Sequence, residues 1–432
     1  MEWYSIPFGD KFIIYRPLPG LAFIGNAALV DYIKAKEATS PHFAPDEQID
    51  DFLELADFWA PDPPGPPAWI PAETHQPTMA VLMMTNACNL RCTYCYARGG
   101  EGPRMDMNID LAKAVIDRVH ANALARGQIH YSLVFHGGGE PVVNWKVLTR
   151  AAKYARSQEL PCQISMASNG VWTAAQRRFI IENVSSVSLS FDGLPAIQNA
   201  QRPRANGRAS FPALMRTIRD LDAAKAPYGI RMTVTPKSVG HLPENIDFIC
   251  QNTSCQSIQA EPAYASGRGE YADPSPEQAE AFAQAFFEAY NRAQARGRQL
   301  FYSGSRPGTI SGCFCQAPES ALIVTPEGDI VTCFEIHDRR HALIDQFVIG
   351  HASPEKIEVD MGKLRAFAQG QSERRDKCEG CFSYWHCGGD CASRCMASPE
   401  TDRWRCQVNR TITRELIAWN IAAGDGIWRA HR

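Results

Sequence analysis

The sequence predicts an α/β protein with a parallel central sheet, followed by a region that is organised by cysteines. Strand-like and helix-like segments alternate six times between residues 79 and 261, which is typical of a parallel sheet with helices outside. Most of the 15 cysteines fall into three groups, over residues 88–95, 313–333 and 378–406. The pattern alone does not distinguish an open sheet from a barrel.

Composition narrows the class of protein. A chain of 432 residues suggests two or three structural units, and 45% hydrophobic with 21% charged residues is ordinary for a soluble protein. The net charge of −3, without a Lys/Arg-rich run, gives no reason to expect nucleic acid or an anionic membrane as a partner. No secretory signal or membrane-spanning run is visible, so we expect a cytoplasmic protein. Clustered cysteines in that compartment indicate metal ligands.

The N-terminal 60 residues predict a small unit of strands and helices. Lys11–Tyr15 and Leu21–Ile24 have strand character, and Ala27–Ala38 and Asp46–Phe58 have helix character. The proline-rich stretch over residues 61–78 then predicts a stiff, extended linker.

Six strands and five intervening helices are predicted for the central region. The strands are Met79–Met84, His130–His136, Gln163–Ser168, Val187–Phe191, Ile230–Thr235 and Ser257–Glu261. The helices are Ile109–Leu124, Trp145–Ser157, Thr173–Asn183, Pro212–Ala223 and Leu242–Gln251. A longer helix over Pro274–Arg298 has a capping box, with Ser275 at the N-cap and Gln278 three residues on; its apolar stripe predicts core.

Polar residues follow several of these strands, at the edge where parallel sheets carry their sites. The glycine-rich turn after the second strand contains Gly138, Gly139 and Glu140. Its glycines would let the backbone approach a ligand, and its carboxylate could accept a hydrogen bond from an ammonium group. The other candidates are Ser168, Asn169, Ser190, Asp192, Arg231 and Glu261. An Asx turn or a surface charge is the alternative for each of them.

Cys88, Cys92 and Cys95 follow the first strand in a CxxxCxxC arrangement. Three thiolates can hold three corners of a cubane iron–sulfur cluster and leave one iron open, whereas a zinc knuckle would need a fourth ligand. The segment CNLRCTYC resembles the signature of the radical S-adenosylmethionine (radical SAM) superfamily. The resemblance implies a partial (β/α)6 barrel and a 4Fe–4S cluster whose open iron chelates S-adenosylmethionine. The contacts with S-adenosylmethionine that the resemblance implies are at Tyr94, Gly138, Gly139, Glu140, Ser168, Asn169, Ser190, Asp192 and Arg231. Glu261 would contact adenosine or the substrate.

The later cysteines resemble the SPASM domain of that superfamily. Zinc ribbons are the alternative and fit four of them. The resemblance implies two auxiliary 4Fe–4S clusters, and its ligand sets are the following. The first cluster would use Cys313, Cys315, Cys333 and Cys391, and the second Cys378, Cys381, Cys387 and Cys406. Whether Cys313 or Cys395 ligates the first cluster stays open.

Six units follow from these assignments. They are a strand–helix unit over 1–60, a linker over 61–78, the barrel over 79–270, a linking helix over 271–308, the auxiliary-cluster domain over 309–410 and a C-terminal helix over 411–432. The first unit weakly resembles leader-peptide-binding modules, and a plain packing extension is the alternative.

The resemblance implies an enzyme that modifies a ribosomally made precursor peptide, with flavodoxin or ferredoxin as reductant. Crosslinking through a thioether or carbon–carbon bond is our first expectation, ahead of epimerisation, formylglycine formation in sulfatases, and small-molecule chemistry. Sulfatase maturases place an aspartate base after the cysteine that matches Cys333, but Phe334 stands here. The candidate proton acceptors are Glu335, Asp338, Glu261 and Tyr264. A non-catalytic iron–sulfur or zinc scaffold would need neither Glu140 nor Arg231.

Overall fold

The computed structural model describes residues 1–39, 43–268, 274–397 and 402–430. Fifteen strands are found in these ranges: β1 Tyr4–Phe8, β2 Lys11–Arg16, β3 Leu21–Gly25, β4 Met79–Met83, β5 Tyr131–His136, β6 Cys162–Ser168, β7 Ser186–Ser190, β8 Tyr228–Val234, β9 Ser257–Pro262, β10 Gln299–Phe301, β11 Ala321–Val324, β12 Asp329–Val331, β13 Val348–Ala352, β14 Ile357–Val359 and β15 Ile427–Arg429.

Fifteen α-helices are found in the same ranges: α1 Ala27–Glu37, α2 Glu47–Leu55, α3 Ile109–Ala125, α4 Trp145–Arg156, α5 Ala174–Asn183, α6 Pro195–Gln201, α7 Phe211–Ala223, α8 Leu242–Asn252, α9 Pro276–Ala295, α10 Ala317–Ser320, α11 Ile344–Phe347, α12 Met361–Asp376, α13 Tyr384–Cys387, α14 Ala392–Ala397 and α15 Asp402–Ala423. Short 3₁₀ helices cover Pro141–Asn144 and Val239–His241. None of the helices in the described ranges is both long and apolar enough to span a membrane.

The central sheet has eleven strands and confirms the six predicted ones. Strands β4 to β9 lie side by side in chain order and pair in parallel. Their outer neighbours are β10, parallel to β9, and β11, parallel to β4. Because β4 and β9 therefore do not pair with each other, the sheet is open, as a partial barrel requires. Its alternating strand residues and the helices that follow them form the largest apolar core.

The cysteine-rich region continues this sheet instead of forming a detached unit. Strand β11 pairs with β4, with Ala321 opposite Met79, and β12, β13 and β14 extend the sheet in antiparallel fashion. This pairing brings residues that are far apart in sequence to the same edge as the loop after β4. The predicted boundary between barrel and linking helix, at residues 270 and 271, lies outside the described residues.

The two ends of the chain meet in a second sheet, of order β1-β2-β3-β15. The predicted N-terminal strands are confirmed, but the helix expected over 411–432 is wrong in its bounds. Helix α15 begins at Asp402, ends at Ala423 and is followed by β15. A three-residue strand has too few residues to show alternation, and only its pairing with β3 defines it. Ile417 and Ile421 of α15 pack beneath the second sheet.

Candidate active site

A cavity of about 690 Å³ lies at the carboxyl ends of the parallel strands and is lined by Cys88, Cys92 and Cys95. The loop that carries these cysteines follows β4 and is fixed by arginines. The Arg268 guanidinium donates to the carbonyl oxygens of Cys92 at 3.1 Å and Gly99 at 2.8 Å. The volume is that of a small-molecule site.

The environment of these thiols fits an iron–sulfur cluster. The sulfur of Cys88 accepts hydrogen bonds from the amide of Leu90 at 3.4 Å and the Asn169 side chain at 3.8 Å, and Cys95 accepts from Gly99 at 3.4 Å. Hydrogen bonds of this kind stabilise cluster sulfur. Burial raises the pKa of the Cys92 thiol to about 11, although Arg202 opposes the rise. Bound iron would supply the positive charge that the thiolates need.

The glycine-rich turn packs directly on the cysteine loop. A Cβ atom on Gly139 would lie 2.1 Å from the carbonyl oxygen of Ala87, and one on Gly138 would lie 2.3 Å from the His337 ring. The two glycines are therefore needed for the contact between loops. Glu140 follows them, buried at the cavity wall, where it accepts from the Ser168 hydroxyl at 2.6 Å and the Asn169 amide at 2.8 Å. Burial raises the pKa of Glu140 to about 7.

Asp192 does not line the cavity, unlike the other residues expected to bind S-adenosylmethionine. It is fully buried behind the wall, where Arg202 donates to it at 2.9 and 3.1 Å and the Tyr94 hydroxyl donates at 2.7 Å. Sequence reasoning missed Arg202, which does line the cavity. Its sequence neighbourhood gives no signal, since the pairing with Asp192 depends on the fold.

The same cavity is also lined by Cys313, Cys315, Cys333 and Cys391, the predicted first auxiliary set. Beyond burial, the nearby Cys391 and Cys313 thiols raise the pKa of Cys315. The four cysteines of the second set lie away from the cavity. Burial raises the pKa of the Cys387 thiol, and the nearby Asp390, Cys406 and Cys378 raise it further. Among the described residues, no group of three or more His, Cys, Asp or Glu side chains is arranged to hold a single metal ion, and both ligand sets stay predictions.

Three of the four candidate proton acceptors meet at Arg394. Its guanidinium lies 3.2 Å from Glu335, 3.5 Å from Glu261 and 4.5 Å from the centre of the Tyr264 ring. Burial by itself raises the pKa of Glu335, but Arg394, Ser393 and Tyr264 together hold it below its ordinary value. The residue is therefore an ionised carboxylate at the cavity. Arg394 was not anticipated, because nothing in the sequence shows that its helix would reach Glu335.

Asp338, the fourth candidate, lies outside the cavity lining. It is buried in an ion pair with Arg340 and lies 3.5 Å from the His337 ring. The Phe334 side chain does line the cavity, with its ring 5.3 Å from that of His136. An apolar ring thus stands where the resemblance would place a carboxylate.

The chain is similar to known proteins in sequence and in fold. The Radical SAM superfamily model matches residues 82–249. An uncharacterized protein of Methanocaldococcus jannaschii is 30% identical over 173 residues, 39% of this chain and 57% of that relative. The chain thus spans just over half of that relative's length. The serine-type anaerobic sulfatase-maturating enzyme of Klebsiella aerogenes is 23% identical over 332 residues, 72% of this chain and 78% of that enzyme. The sporulation killing factor maturation protein SkfB of Bacillus subtilis is 24% identical over 45% of each chain.

Solved structures show the same fold at low identity. Native anSMEcpe with bound AdoMet has a TM-score of 0.61 and 19% identity, covering 80% of this chain and 99% of that one. Streptococcus suis SuiB bound to S-adenosylmethionine has a TM-score of 0.56 and 13% identity, covering 85% and 84%. The protein therefore carries a radical SAM domain in a partial α/β barrel, followed by a cysteine-rich C-terminal region, and its sequence relatives include enzymes named for the maturation of sulfatases and of a sporulation killing factor.

Proposed function

We propose that this protein is a radical SAM maturase that crosslinks a ribosomally made peptide through a thioether or carbon–carbon bond. One observation carries the proposal: a single cavity has Cys88, Cys92, Cys95 and Glu140 on one wall and the first auxiliary cysteine set on another. A substrate between these walls would be within reach of both.

The first wall suits S-adenosylmethionine. When bound there, the 4Fe–4S cluster and S-adenosylmethionine supply a 5′-deoxyadenosyl radical that removes a hydrogen atom from the substrate. Glu140 keeps acceptor capacity beyond its bonds to Ser168 and Asn169, which suits the methionine ammonium group. Arg231 reaches the cavity from β8 and would bind the methionine carboxylate. Tyr94, Ser168, Asn169 and Ser190 also line the cavity and would contact the rest of the molecule.

The second wall suits the substrate. Crosslinking also removes a proton from the peptide, and Glu335 is the carboxylate at this part of the cavity lining that would accept it. Arg394 and the Ser393 hydroxyl hold Glu335 in place, with Ser393 donating at 2.7 Å. Ser393 also lies 3.3 Å from the sulfur of Cys391, so the proton acceptor is adjacent to a predicted ligand of the first auxiliary cluster. Cys391, with Cys313, Cys315 and Cys333, would hold that cluster, which would supply an acceptor for the electron that crosslinking leaves over.

Formylglycine formation in a sulfatase is the second candidate function. The Klebsiella aerogenes relative aligns over 72% of this chain, far beyond the barrel alone. Phe334 removes the expected aspartate, so Glu335 would have to act as the base in this case as well. The two functions share the first wall and differ in the peptide they accept.

The remaining partners follow from the same proposal. A flavodoxin or ferredoxin in the cytoplasm would supply the electron that reductive cleavage of S-adenosylmethionine needs. Residues 1–60 would either bind a leader peptide or act as a packing extension. Calorimetry with the leader, on the full chain and on a chain lacking these residues, separates the two roles.

The test uses anaerobically reconstituted protein with dithionite and S-adenosylmethionine, offered a peptide encoded beside its gene or a sulfatase-derived peptide. We expect that 5′-deoxyadenosine forms and that the mass of the peptide encoded beside the gene falls by two hydrogens. Glu335→Gln should still form 5′-deoxyadenosine but leave the peptide unmodified, whereas Glu358→Gln, at an exposed position of β14, should behave as wild type. Conversion only of the sulfatase peptide to the aldehyde would favour the second candidate, and absence of 5′-deoxyadenosine throughout would contradict both.

A further inference from the structure

One wall of the cavity, formed by helix α12, has no role in the proposed chemistry. Gln371 and Arg375 both line the cavity from this helix. Residues four apart lie on the same face of a helix, so the two side chains are neighbours. Both end in hydrogen-bond donors.

Arg375 differs from the other fully buried arginines of the described chain. Three of the four pair with an aspartate: Arg16 with Asp62, Arg202 with Asp192 and Arg405 with Asp390. Arg375 is 7% exposed, has no carboxylate within 4.0 Å among the described residues, and its Nε has no hydrogen-bond partner there. A buried charge without a partner is costly, and proteins normally compensate it.

Aromatic rings hold this guanidinium in place. Its central carbon lies 4.7 Å from the centre of the Tyr384 ring and 4.9 Å from that of Trp385. The guanidinium also donates a hydrogen bond to the Tyr384 hydroxyl, so these contacts orient the planar cation while its Nε–H group has no partner among the described residues. The guanidinium is thus fixed in position and still able to bind an acceptor.

The side-chain amide of Gln371 provides a second buried donor group. Its Oε1 accepts from Arg374 at 2.7 Å, which fixes the amide and leaves Nε2 as the free end. Nε2 is buried and has no partner among the described residues. Nε of Arg375, which is charged, and Nε2 of Gln371 are two fixed donors without an acceptor among the described residues, and such a pair matches a carboxylate better than any neutral group.

We propose that Arg375 and Gln371 form a subsite that binds a carboxylate of the peptide substrate. The carboxylate belongs to an acidic side chain or to the C-terminus of the peptide. The inference rests on the proposed function, because it requires a peptide in the cavity. It deepens that function by assigning an acidic group to the part of the substrate that lies near the first auxiliary cysteine set.

Charge compensation of an auxiliary cluster is the competing role for Arg375. Gly312, next to Cys313, lies beside the guanidinium, and a Cβ atom built on Gly312 would be 3.5 Å from Nη1 of Arg375. The competing role predicts an altered reduction potential in Arg375 variants. It predicts no preference among peptides.

The test measures binding by anaerobic equilibrium dialysis with reconstituted full-length protein. The probes are acetyl-Ala-Glu-Ala-amide, acetyl-Ala-Gln-Ala-amide and acetyl-Ala-Gln-Ala with a free C-terminus. We expect one or both carboxylate-bearing peptides to bind about tenfold or more tightly than the neutral one, and which of them binds identifies the source of the carboxylate.

Two variants with opposite chemistry test the residues. Arg375→Gln removes the charge, and Gln371→Glu supplies a carboxylate from the protein itself, so both should abolish the preference for the carboxylate peptides. Gln371→Glu should also raise the thermal unfolding temperature, because it pairs a buried charge. Arg365→Gln is the matched control, since Arg365 is an exposed arginine on the same helix.

Equal binding of the Glu and Gln peptides, or a preference that persists in Gln371→Glu, would overturn the subsite. An unchanged preference in Arg375→Gln with a shifted auxiliary-cluster potential would assign the arginine to the cluster instead. Formation of 5′-deoxyadenosine is measured in parallel. If it persists while the preference is absent, the subsite fails and the radical SAM activity that the proposed function requires stands; if it is absent in wild type, the proposed function fails.

Discussion

At the scale of single residues, the cavity wall combines groups whose protonation is set by burial. His136 ends β5 at the cavity, and its Nδ1 is buried without a partner among the described residues. Burial and then the nearby Arg231 lower the pKa of His136 to about 4, although Glu335 opposes the change. The imidazole is therefore neutral in the folded protein at neutral pH.

This shift predicts a pH dependence of stability. Between pH 4 and 6.5 the unfolded chain protonates His136 and the folded chain does not, so the free energy of unfolding should rise with pH across that window. His136→Gln should make the rise shallower, as measured by thermal unfolding at a series of pH values. His241→Gln, at an exposed position, is the control. An identical slope in His136→Gln and wild type would contradict the shift.

Ion pairing in the structure distinguishes carboxylates that look alike in the sequence. Asp192 and Asp338 both carry carboxylates close to predicted strand ends or cluster ligands. In the structure each is buried in an ion pair with an arginine and lies away from the cavity lining. Glu335 is also paired with an arginine, yet it lines the cavity. The difference depends on the position of each partner in space, which spacing along the chain does not encode.

At the scale of elements, local sequence rules predicted most helices and strands of the barrel. Helix α9 is the clearest case. The Ser275 hydroxyl accepts from the Gln278 amide at 3.3 Å, and the Gln278 side chain accepts from the Ser275 amide at 2.9 Å. The predicted stripe is core, since Ala279, Phe282 and Phe286 are buried. Capping and periodicity are local properties, so the sequence alone suffices for such an element.

The cap gives a prediction at this scale. Ser275→Ala leaves the Gln278 amide without its acceptor and should lower the free energy of unfolding by about 1 kcal/mol. Chemical denaturation monitored by circular dichroism measures the loss. Gln284→Ala, at an exposed position in the middle of the same helix, should change stability by less than about 0.5 kcal/mol. Equal effects of the two substitutions would show that the cap does not stabilise the helix.

Elements that depend on distant partners were predicted less well. Strand β15 exists because Ile427 lies opposite Phe23 in a sheet whose other strands come from the start of the chain. Three residues carry no periodicity that identifies them as a strand. The sequence predicted a helix to residue 432, but α15 ends at Ala423, and the residues that follow pair with β3 instead.

At the scale of the whole molecule, one continuous sheet joins the barrel to the cysteine-rich region. The parallel pairing of β11 with β4 places residues after Cys313 beside the strand that precedes Cys88. The cysteines predicted to hold the barrel cluster and those predicted to hold the first auxiliary cluster therefore line one cavity. Under the proposed function, this arrangement would let a radical formed beside Cys88, Cys92 and Cys95 and an electron acceptor held by the first auxiliary cysteine set act on the same substrate.

The predicted clusters give a test at this scale. Anaerobically reconstituted wild type should contain about twelve irons per chain, for three 4Fe–4S clusters. Cys92→Ala should contain about eight and form no 5′-deoxyadenosine, because only the barrel cluster loses a ligand. Iron and sulfide analysis with chromatography of the nucleoside measures both. About four irons in wild type, with cleavage, would remove the auxiliary clusters, and continued cleavage by Cys92→Ala would refute its role as a ligand.

The sequence by itself determined the alternating barrel elements, the cysteine groups and the resemblance they carry, because periodicity, caps and ligand spacing are local features of the chain. Only the tertiary structure decided which polar residues share the cavity. It brought Arg394 to Glu335 and Glu261 and removed Asp192 and Asp338 from the lining. Within the described part of the chain, it left Arg375 without a carboxylate partner. The physical reason is that charge pairing and burial depend on distances between side chains far apart in sequence, which are fixed only when the sheet is assembled.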